Sequence, residues 1–457
     1  MNIIIAGCGK VGTTLGEQLV RERHEVTFID TAPELLKKVM GMIDVQVIEG
    51  NCTVYSTLKE AGIEHADLFI AVTDSDEINL LSCLIAKKAS NCHTVARVRN
   101  PEYNEDIQFI KQEMGLSLTI NPEWATAVEI ARLIQIPSAM EVDSFANNRV
   151  NMIRFLIPEG SVLADMKVAD VGGAFKGSFL ICVIERNHEI IIPSGDVVLK
   201  KGDNISVIMP LAEVDKMCKE VGIHTRNIKN VMIAGGGTMS YYLAKILNKA
   251  NKRVKIIEMN RKRCELLSGL LPKTMIIHGD ATECIRDSNK LLEEEDLAAT
   301  DAFVALTGFD EENLFLSLHA KKVANAKNIV KINRIRVEEV SEELNVGSVV
   351  SPKFITTEFI LQYVRAMENS KSNNSIETLY RLMDNRVEAL EFVVCDTPGL
   401  TGVQLQDLKL KKNLLLCCIN RGGRIITPSG QDCLLEGDSV IVVTTHLGLK
   451  RLSDILK

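Results

Sequence analysis

No stretch of the 457 residues approaches the roughly 18–20 consecutive apolar residues that cross a bilayer as a helix. Basic residues are not in surplus either. The formal net charge is −7, and phosphate binding wants a basic face, so nucleic acid is not an expected partner. The twelve cysteines include no C-x-x-C pair, and several lie inside apolar runs (Cys182, Cys417-Cys418), where a free thiol behaves as a small hydrophobe. Cys92-His93 are adjacent, which is poor spacing for zinc. The expectation is a cytosolic chain with reduced, buried thiols and no metal site. The opening Met1-Asn2-Ile3-Ile4-Ile5-Ala6-Gly7 reads as a strand running into a turn, not as a secretion signal.

A catalytic constellation is also missing. His24, His65, His188 and His319 have no carboxylate or cysteine arranged about them in sequence. Tyr241-x-x-x-Lys245 matches a short-chain dehydrogenase pair by spacing, but it follows a glycine turn directly and reads as helix surface plus core.

What the chain does contain is written twice. Gly7-Cys8-Gly9-Lys10-Val11-Gly12, with Asp30 beyond it, is answered by Gly235-Gly236-Gly237-Thr238-Met239-Ser240, with Glu258 at the same distance. Thr73-x-x-Asp76-Glu77-x-Asn79 is answered by Thr307-x-x-Asp310-Glu311-x-Asn313. Pro193-Ser194-Gly195 with Gly202-Asp203 returns as Pro428-Ser429-Gly430 with Gly437-Asp438. Landmarks repeated in one order mark a tandem duplication.

Between the landmarks, apolar β-branched runs alternate with helical patterns. Residues 2–6, 26–30, 45–48, 68–72 and 94–98 read as strands apolar on both faces, which need helices on both sides of a parallel sheet. Residues 229–234, 254–258, 275–277 and 302–306 repeat the order. Asn121-Pro122 and Ser351-Pro352 each open a long helix, and short alternating strands follow. The expected class is α/β: two tandem Rossmann-like doubly wound parallel sheets, each followed by a small α+β lobe. The expected division is a nucleotide-binding lobe at 1–122, a connecting helix at 123–140 and a small lobe at 141–226. A second Rossmann-like lobe follows at 227–350, then a connecting helix and loop at 351–380 and a small lobe at 381–457. The polar stretch 369–374 reads as a loop.

Each glycine has a reason. Gly7 permits a tight turn, Gly9 lets backbone approach a pyrophosphate, and Gly12 lets helix pack on strand. Free N–H groups at the helix start, contributed across Cys8, Lys10 and Val11, face the phosphates. Asp30, ending the second strand, accepts hydrogen bonds from the adenosine ribose hydroxyls. In the second copy Gly235, Gly236, Gly237, Thr238, Met239 and Glu258 keep these places. Ser240 replaces the third glycine, which is expected to push helix from strand slightly and weaken binding. Arg261 stands near enough in sequence to favour a different ligand. Asn51-Cys52 and Asp280-Ala281 follow the third strands, beside the expected adenine. Thr73-Asp74 and Thr307 end the fourth strands, at the edge where ligands lie. Arg97 is placed to reach a phosphate, with Lys331 as its partner in the repeat.

The glycine turn with Asp30, Ala71-Val72-Thr73-x-x-Asp76-Glu77-x-Asn79, Arg97-x-Arg99-Asn100-Pro101 and the paired small lobes resemble the TrkA family. These are peripheral regulatory proteins of Trk potassium-uptake systems, built from tandem regulator-of-potassium-conductance (RCK) domains. The resemblance runs end to end; Asn51 and Ser240 depart from it, standing where the family often has Asp and Gly. It implies binding of NAD or NADH, and of ATP or ADP, without catalysis. It also implies docking at the cytoplasmic face of the cell membrane on a TrkH-like potassium-translocating subunit. Assembly as a homotetramer through the helices after the fifth strand is implied as well. Against this gating subunit stand two other readings, an NAD-dependent oxidoreductase and a stand-alone nucleotide or redox sensor.

Overall fold

The computed structural model describes residues 1–136, 139–145, 150–175, 179–210, 213–222, 228–283, 291–333, 346–371, 376–383, 386–395 and 397–457. Six strands come first: β1 (Asn2–Ala6), β2 (Glu25–Asp30), β3 (Gln46–Glu49), β4 (Leu68–Ala71), β5 (His93–Arg97) and β6 (Leu118–Ile120). They form one parallel sheet in the order β3-β2-β1-β4-β5-β6. Sequence order reverses between β1 and β4. That switch point opens a crevice beyond the carboxyl ends of the strands. Apolar residues of β1 and β4 are buried on both faces, as helices on either side require.

A five-stranded antiparallel sheet follows, from β7 (Glu141–Phe145), β8 (Val150–Leu156), β9 (Leu180–Arg186), β10 (Glu189–Ile191) and β11 (Asn204–Met209), ordered β10-β9-β11-β8-β7. The second parallel sheet comprises β12 (Asn230–Ala234), β13 (Arg253–Glu258), β14 (Thr274–His278), β15 (Ala302–Ala305), β16 (Lys327–Lys331) and β17 (Ser348–Val350). Its order is β14-β13-β12-β15-β16-β17. Then come β18 (Ile376–Leu382), β19 (Val387–Val393), β20 (Leu414–Arg421), β21 (Arg424–Ile426) and β22 (Ser439–Thr444), in the order β18-β19-β22-β20-β21. The doubly wound α/β class expected from the alternation is the class found.

The connecting helices are exchanged between halves. Helix Pro122–Gln135 packs on the glycine-turn helix Thr238–Lys249 of the second sheet, and helix Pro352–Lys371 packs on Lys10–Arg21 of the first. Ala127, Ile130 and Ile134 share one core with Tyr242, Leu243 and Leu247. Ile360, Leu361 and Val364 share another with Leu15 and Leu19. Each such fully buried aliphatic contributes roughly 1.5–3 kcal/mol. Pro122 starts its helix with Asn121 as cap, whose Oδ1 accepts from Trp124 N at 2.9 Å. A buried ion pair reinforces the second exchange: Arg365 donates to Glu22 at 2.6 Å and to Glu358 at 2.9 Å.

Part of the apolar face of these helices is covered within the chain, while Trp124, Phe354 and Phe359 stay exposed on them. One expectation needs correcting: the second helix continues through Asn369, Ser370 and Lys371, where a loop was expected. The rest of that stretch, 372–374, lies outside the described residues, as does the expected boundary at 226–227. The two small sheets pack on each other, joining Cys182, Val183 and Ile208 to Cys417, Cys418 and Val443 in one core.

Candidate functional site

β1 delivers the chain into the first glycine turn. Gly7 has φ +108°, and a Cβ there would stand 3.0 Å from Thr73 N. A Cβ on Gly12 would stand 2.0 Å from the carbonyl oxygen of Gly7, so this contact of helix on turn admits only glycine unless the backbone moves. Gly9 has open space where a Cβ would be, and as N-cap it supplies no side-chain acceptor to helix Lys10–Arg21. The helix start is therefore left for a ligand or water to satisfy. Lys10 is exposed and Val11 half-buried beside it.

Asp30 ends β2 against this turn. One carboxylate oxygen accepts from Cys8 N at 2.6 Å and the other from Ala32 N at 2.9 Å. A carboxylate has about four acceptor positions. Two are used by backbone and two remain for ribose hydroxyls. The Cys8 thiol is pushed up to about 12 by burial and then by Asp30, and burial raises the buried Cys52 thiol as well. Neither is a nucleophile under ordinary conditions.

After β3, Asn51 Oδ1 accepts from Thr53 N at 2.9 Å and Thr53 Oγ1 at 2.8 Å. After β14, Asp280 Oδ1 does the same with Thr282, at 2.8 and 2.7 Å. Both side chains build the loop, which leaves the amide of Asn51 and the second oxygen of Asp280 for a ligand. Ala281 is buried.

At the end of β4 the repeated T-x-x-D-E-x-N residues prove to be a brace. Asn79 Oδ1 accepts from Thr73 N at 2.8 Å, and Asn79 Nδ2 donates to Arg97 O at 2.9 Å. Asp76 accepts from Arg99 N and Asn100 N, both at 2.8 Å. Asn313 repeats the bonds to Thr307 N at 2.8 Å and Lys331 O at 3.0 Å, and Asp310 holds Asn333 N. The repetition flagged these residues in sequence, but not that they tie neighbouring strand ends together.

The Arg97 guanidinium donates to Thr73 O and stands 3.6 Å from the exposed Asp74, while its buried Nε has no partner. Burial first, then Arg99, draws its pKa below that of a free guanidinium. In the second half burial lowers Lys331, whose Nζ makes a long bond of 3.4 Å to Leu306 O among the described residues. Each crevice thus has a desolvated cation at the fifth strand.

The second turn keeps the geometry of the first. Gly235 has φ +99°, and Gly237 (φ −68°, ψ −178°) matches Gly9 (φ −68°, ψ −174°). Thr238 and Met239 open the helix. Glu258 accepts from Gly236 N at 2.6 Å and Asn260 N at 2.7 Å. Ser240 is fully buried, and its hydroxyl donates to Gly235 O at 2.5 Å, so the serine is bonded into the turn. Arg261 points away, exposed and 3.5 Å from Glu265. Arg263 reaches the turn instead, its Nε donating to Gly236 O at 2.8 Å. In the first turn the matching carbonyl, of Cys8, accepts from Thr13 at 3.1 Å. Thr13 corresponds to Tyr241, which faces the other half, and Arg263 takes over its task.

Tyr241 and Lys245 do not face a crevice. Lys245 Nζ lies 3.2 Å from Glu105 of the first half and 3.4 Å from Tyr241 Oη. His24 is buried between halves, 3.8 Å from Glu368. Among the described residues no group of three or more His, Cys, Asp or Glu could hold a metal, and no helix is long and apolar enough to cross a membrane.

Comparison with known proteins agrees with this layout. The TrkA-N domain model matches residues 3–122 and 231–352, and the TrkA-C domain model matches 152–222 and 389–457. A Trk system potassium uptake protein TrkA homolog of Archaeoglobus fulgidus is 34% identical over 457 residues, 100% of both chains. The Trk system potassium uptake protein TrkA of Haemophilus influenzae is 31% identical over 453 residues, 97% of this chain and 95% of that one. Among solved structures, a GsuK channel bound to NAD has TM-score 0.62 at 16% identity, covering 97% of this chain and 76% of that one. The GsuK RCK domain has TM-score 0.62 at 15% identity, covering 97% and 92%. The structural likeness speaks for the fold. The curated relatives are named for potassium uptake, which supports a regulatory, non-enzymatic role. By the match of both domain models in both halves and by full-length identity to its relatives, the chain belongs to the TrkA family of Trk-system potassium uptake proteins.

Proposed function

We propose that the chain is the nucleotide-responsive gating subunit of a Trk-type potassium uptake system. NAD or NADH, or ATP or ADP in its place, binds the first crevice. Gly7, Gly9 and Gly12 shape the turn, Asp30 holds the ribose, Asn51 faces the adenine, and Thr73, Asp74 and Arg97 line the phosphate side. The second crevice, with Glu258, Asp280 and Thr307, is a second site of lower affinity. The chain works as a homotetramer on the cytoplasmic face of a TrkH-like membrane subunit. Its working pieces divide as 1–122, 123–140, 141–226, 227–350, 351–380 and 381–457.

The exchange of connecting helices carries this reading. The helix that begins at each phosphate-binding turn is packed against the helix leaving the other half's sheet. A ligand that moves one turn therefore has to move the other half or work against that packing. An effector shifts such an equilibrium only by its differential affinity for the two arrangements, typically about 1–3 kcal/mol.

Potassium flux into vesicles containing the membrane subunit tests it, with and without this chain and across NAD, NADH, ATP and ADP. Flux that depends on chain and nucleotide together is the expected result. Flux that is identical in every condition would overturn the proposal.

A further inference from the structure

A chain of net charge −7 carries a concentrated basic edge at its second small lobe. In the second small lobe, segment 409–411 pairs antiparallel with 455–457. Lys411 N donates to Ile455 O and Lys457 N to Lys409 O, each at 2.9 Å, with Leu410 bridged to Leu456. On its other side Thr445 N donates to Asn413 O at 3.2 Å, and His446 Nε2 bonds Lys412 O at 2.8 Å. Leu408 and Leu410 pack on the lobe's core. The intervening lysines stand outward. Lys409, Lys412, Lys450, Arg451 and Lys457 are exposed and Lys411 is half-exposed.

Two features set this edge apart from an ordinary solvated face. Lys409 and Lys457 are direct cross-strand neighbours, and like charges so placed destabilise a sheet. None of the six cations makes an ion pair among the described residues. Asp454 lies among them, accepting from Lys450 N and Arg451 N at 2.9 Å each, and forms no ion pair with their side chains. Beside the cations, the turn between β22 and the last helical turn (Leu452–Ile455) lifts Leu447 into solvent, 58% exposed, with Gly448 at φ +80° shaping the turn.

We propose that this edge is a membrane-surface contact. The six cations lie against anionic phospholipid headgroups, and Leu447 enters the headgroup–acyl boundary. Unpaired cations around a single protruding aliphatic match the chemistry of an anionic bilayer surface, where phosphates alternate with shallow apolar depth. An acidic peptide would match the cations alone, and the polyglutamate arm of the test separates it from the bilayer. The contact does not depend on nucleotide or on the membrane subunit, and the test contains neither, so its failure leaves the preceding proposal intact.

The test is co-sedimentation of the intact chain with vesicles of phosphatidylcholine alone, or of phosphatidylcholine with phosphatidylglycerol. Each cation near an anionic surface is worth roughly fivefold in partitioning. The chain is expected to bind the mixed vesicles, to be released by salt, and to ignore phosphatidylcholine. Lys409→Glu with Lys411→Glu and Lys412→Glu should lower partitioning roughly a hundredfold or more, and Leu447→Ser a few-fold. Lys37→Glu with Lys38→Glu, on an exposed helix face of the first half, should leave it unchanged. Circular dichroism and thermal melts check that each variant folds. Equal binding to both vesicles, undiminished binding by the folded triple variant, or binding to polyglutamate but not to vesicles would each overturn the proposal.

Discussion

The hydroxyl of Tyr242 lies 3.0 Å from Nδ2 of Asn121, so a side chain on the second half's glycine-turn helix receives a hydrogen bond from the residue that caps the first half's connecting helix. The same hydroxyl donates to Arg99 O at 3.4 Å, beside the backbone that Asp76 holds. Burial pushes the phenol up to about 12, so it remains a donor throughout the physiological range.

Replacing Tyr242 by Phe keeps the ring against Trp124 and deletes only these two bonds. The expected loss is about 0.5–1.5 kcal/mol of stability, read as a fall of a few degrees in the melting temperature. An unchanged melt would mean the two bonds contribute nothing to joining the halves.

Gly12→Ser should be far worse for the first turn than Ser240 is for the second. The new Cβ would stand 2.0 Å from Gly7 O, so the helix must shift before the hydroxyl can copy the bond that Ser240 makes. NADH affinity in calorimetry should drop at least tenfold. Ser240→Gly should cost only the one hydrogen bond, about 1 kcal/mol. Equal effects of the two changes on binding would contradict this asymmetry.

Asp30→Asn replaces a charged acceptor of Cys8 N with a neutral amide of the same shape. Hydrogen bonds to charged groups are worth roughly 1.5–3 kcal/mol, so nucleotide affinity should fall by about one to two decades. Titration with NADH decides it. Full-strength binding by the variant would place the ribose elsewhere.

Lys327 begins β16 half-buried, its ammonium donating to Ala139 O; desolvation brings its pKa down to about 8 from 10.5. Below pH 8 the folded and unfolded chains both carry the proton, and the cost of burying the charge is fully present. Between about pH 8 and 10.5 the unfolded chain binds more protons, so stability rises with pH through this window. The relief is on the order of 3 kcal/mol at most. Urea unfolding of the wild type and of Lys327→Met should differ most at pH 7 and converge towards pH 10. Parallel curves across that range would rule out Lys327 as the source.

The sheets were legible because buried parallel strands are written as unbroken apolar runs, as at Leu68–Ala71 and Ala302–Ala305. The third strands were short but framed by turn residues. Strands β6 and β17 escaped because three residues have no period to detect. The exchange of helices escaped for another reason: a stripe such as Ala127, Ile130 and Ile134 announces that a helix is buried on one face, not which helix meets it.

Within the candidate site, Asp30, Glu258 and the glycines were legible because turn geometry demands particular residue types at particular steps. The role of Arg263 was not. Its distance from Gly236 in sequence carries no signal, and only the outward turn of Arg261 and the change from Thr13 to Tyr241 make it intelligible.

The exchanged helices also bear on how this chain can diverge. In a symmetric pair of identical subunits every contact occurs twice, and any substitution must suit both copies. Here the two contacts are separate stretches of one polypeptide. One is fastened by a phenol and an amide, Tyr242 with Asn121, and the other by an arginine between carboxylates, Arg365 with Glu22 and Glu358. Covalent linkage also makes the encounter of the halves intramolecular, at a local concentration that dilution cannot lower. The second half can therefore lose its third glycine without losing its partner.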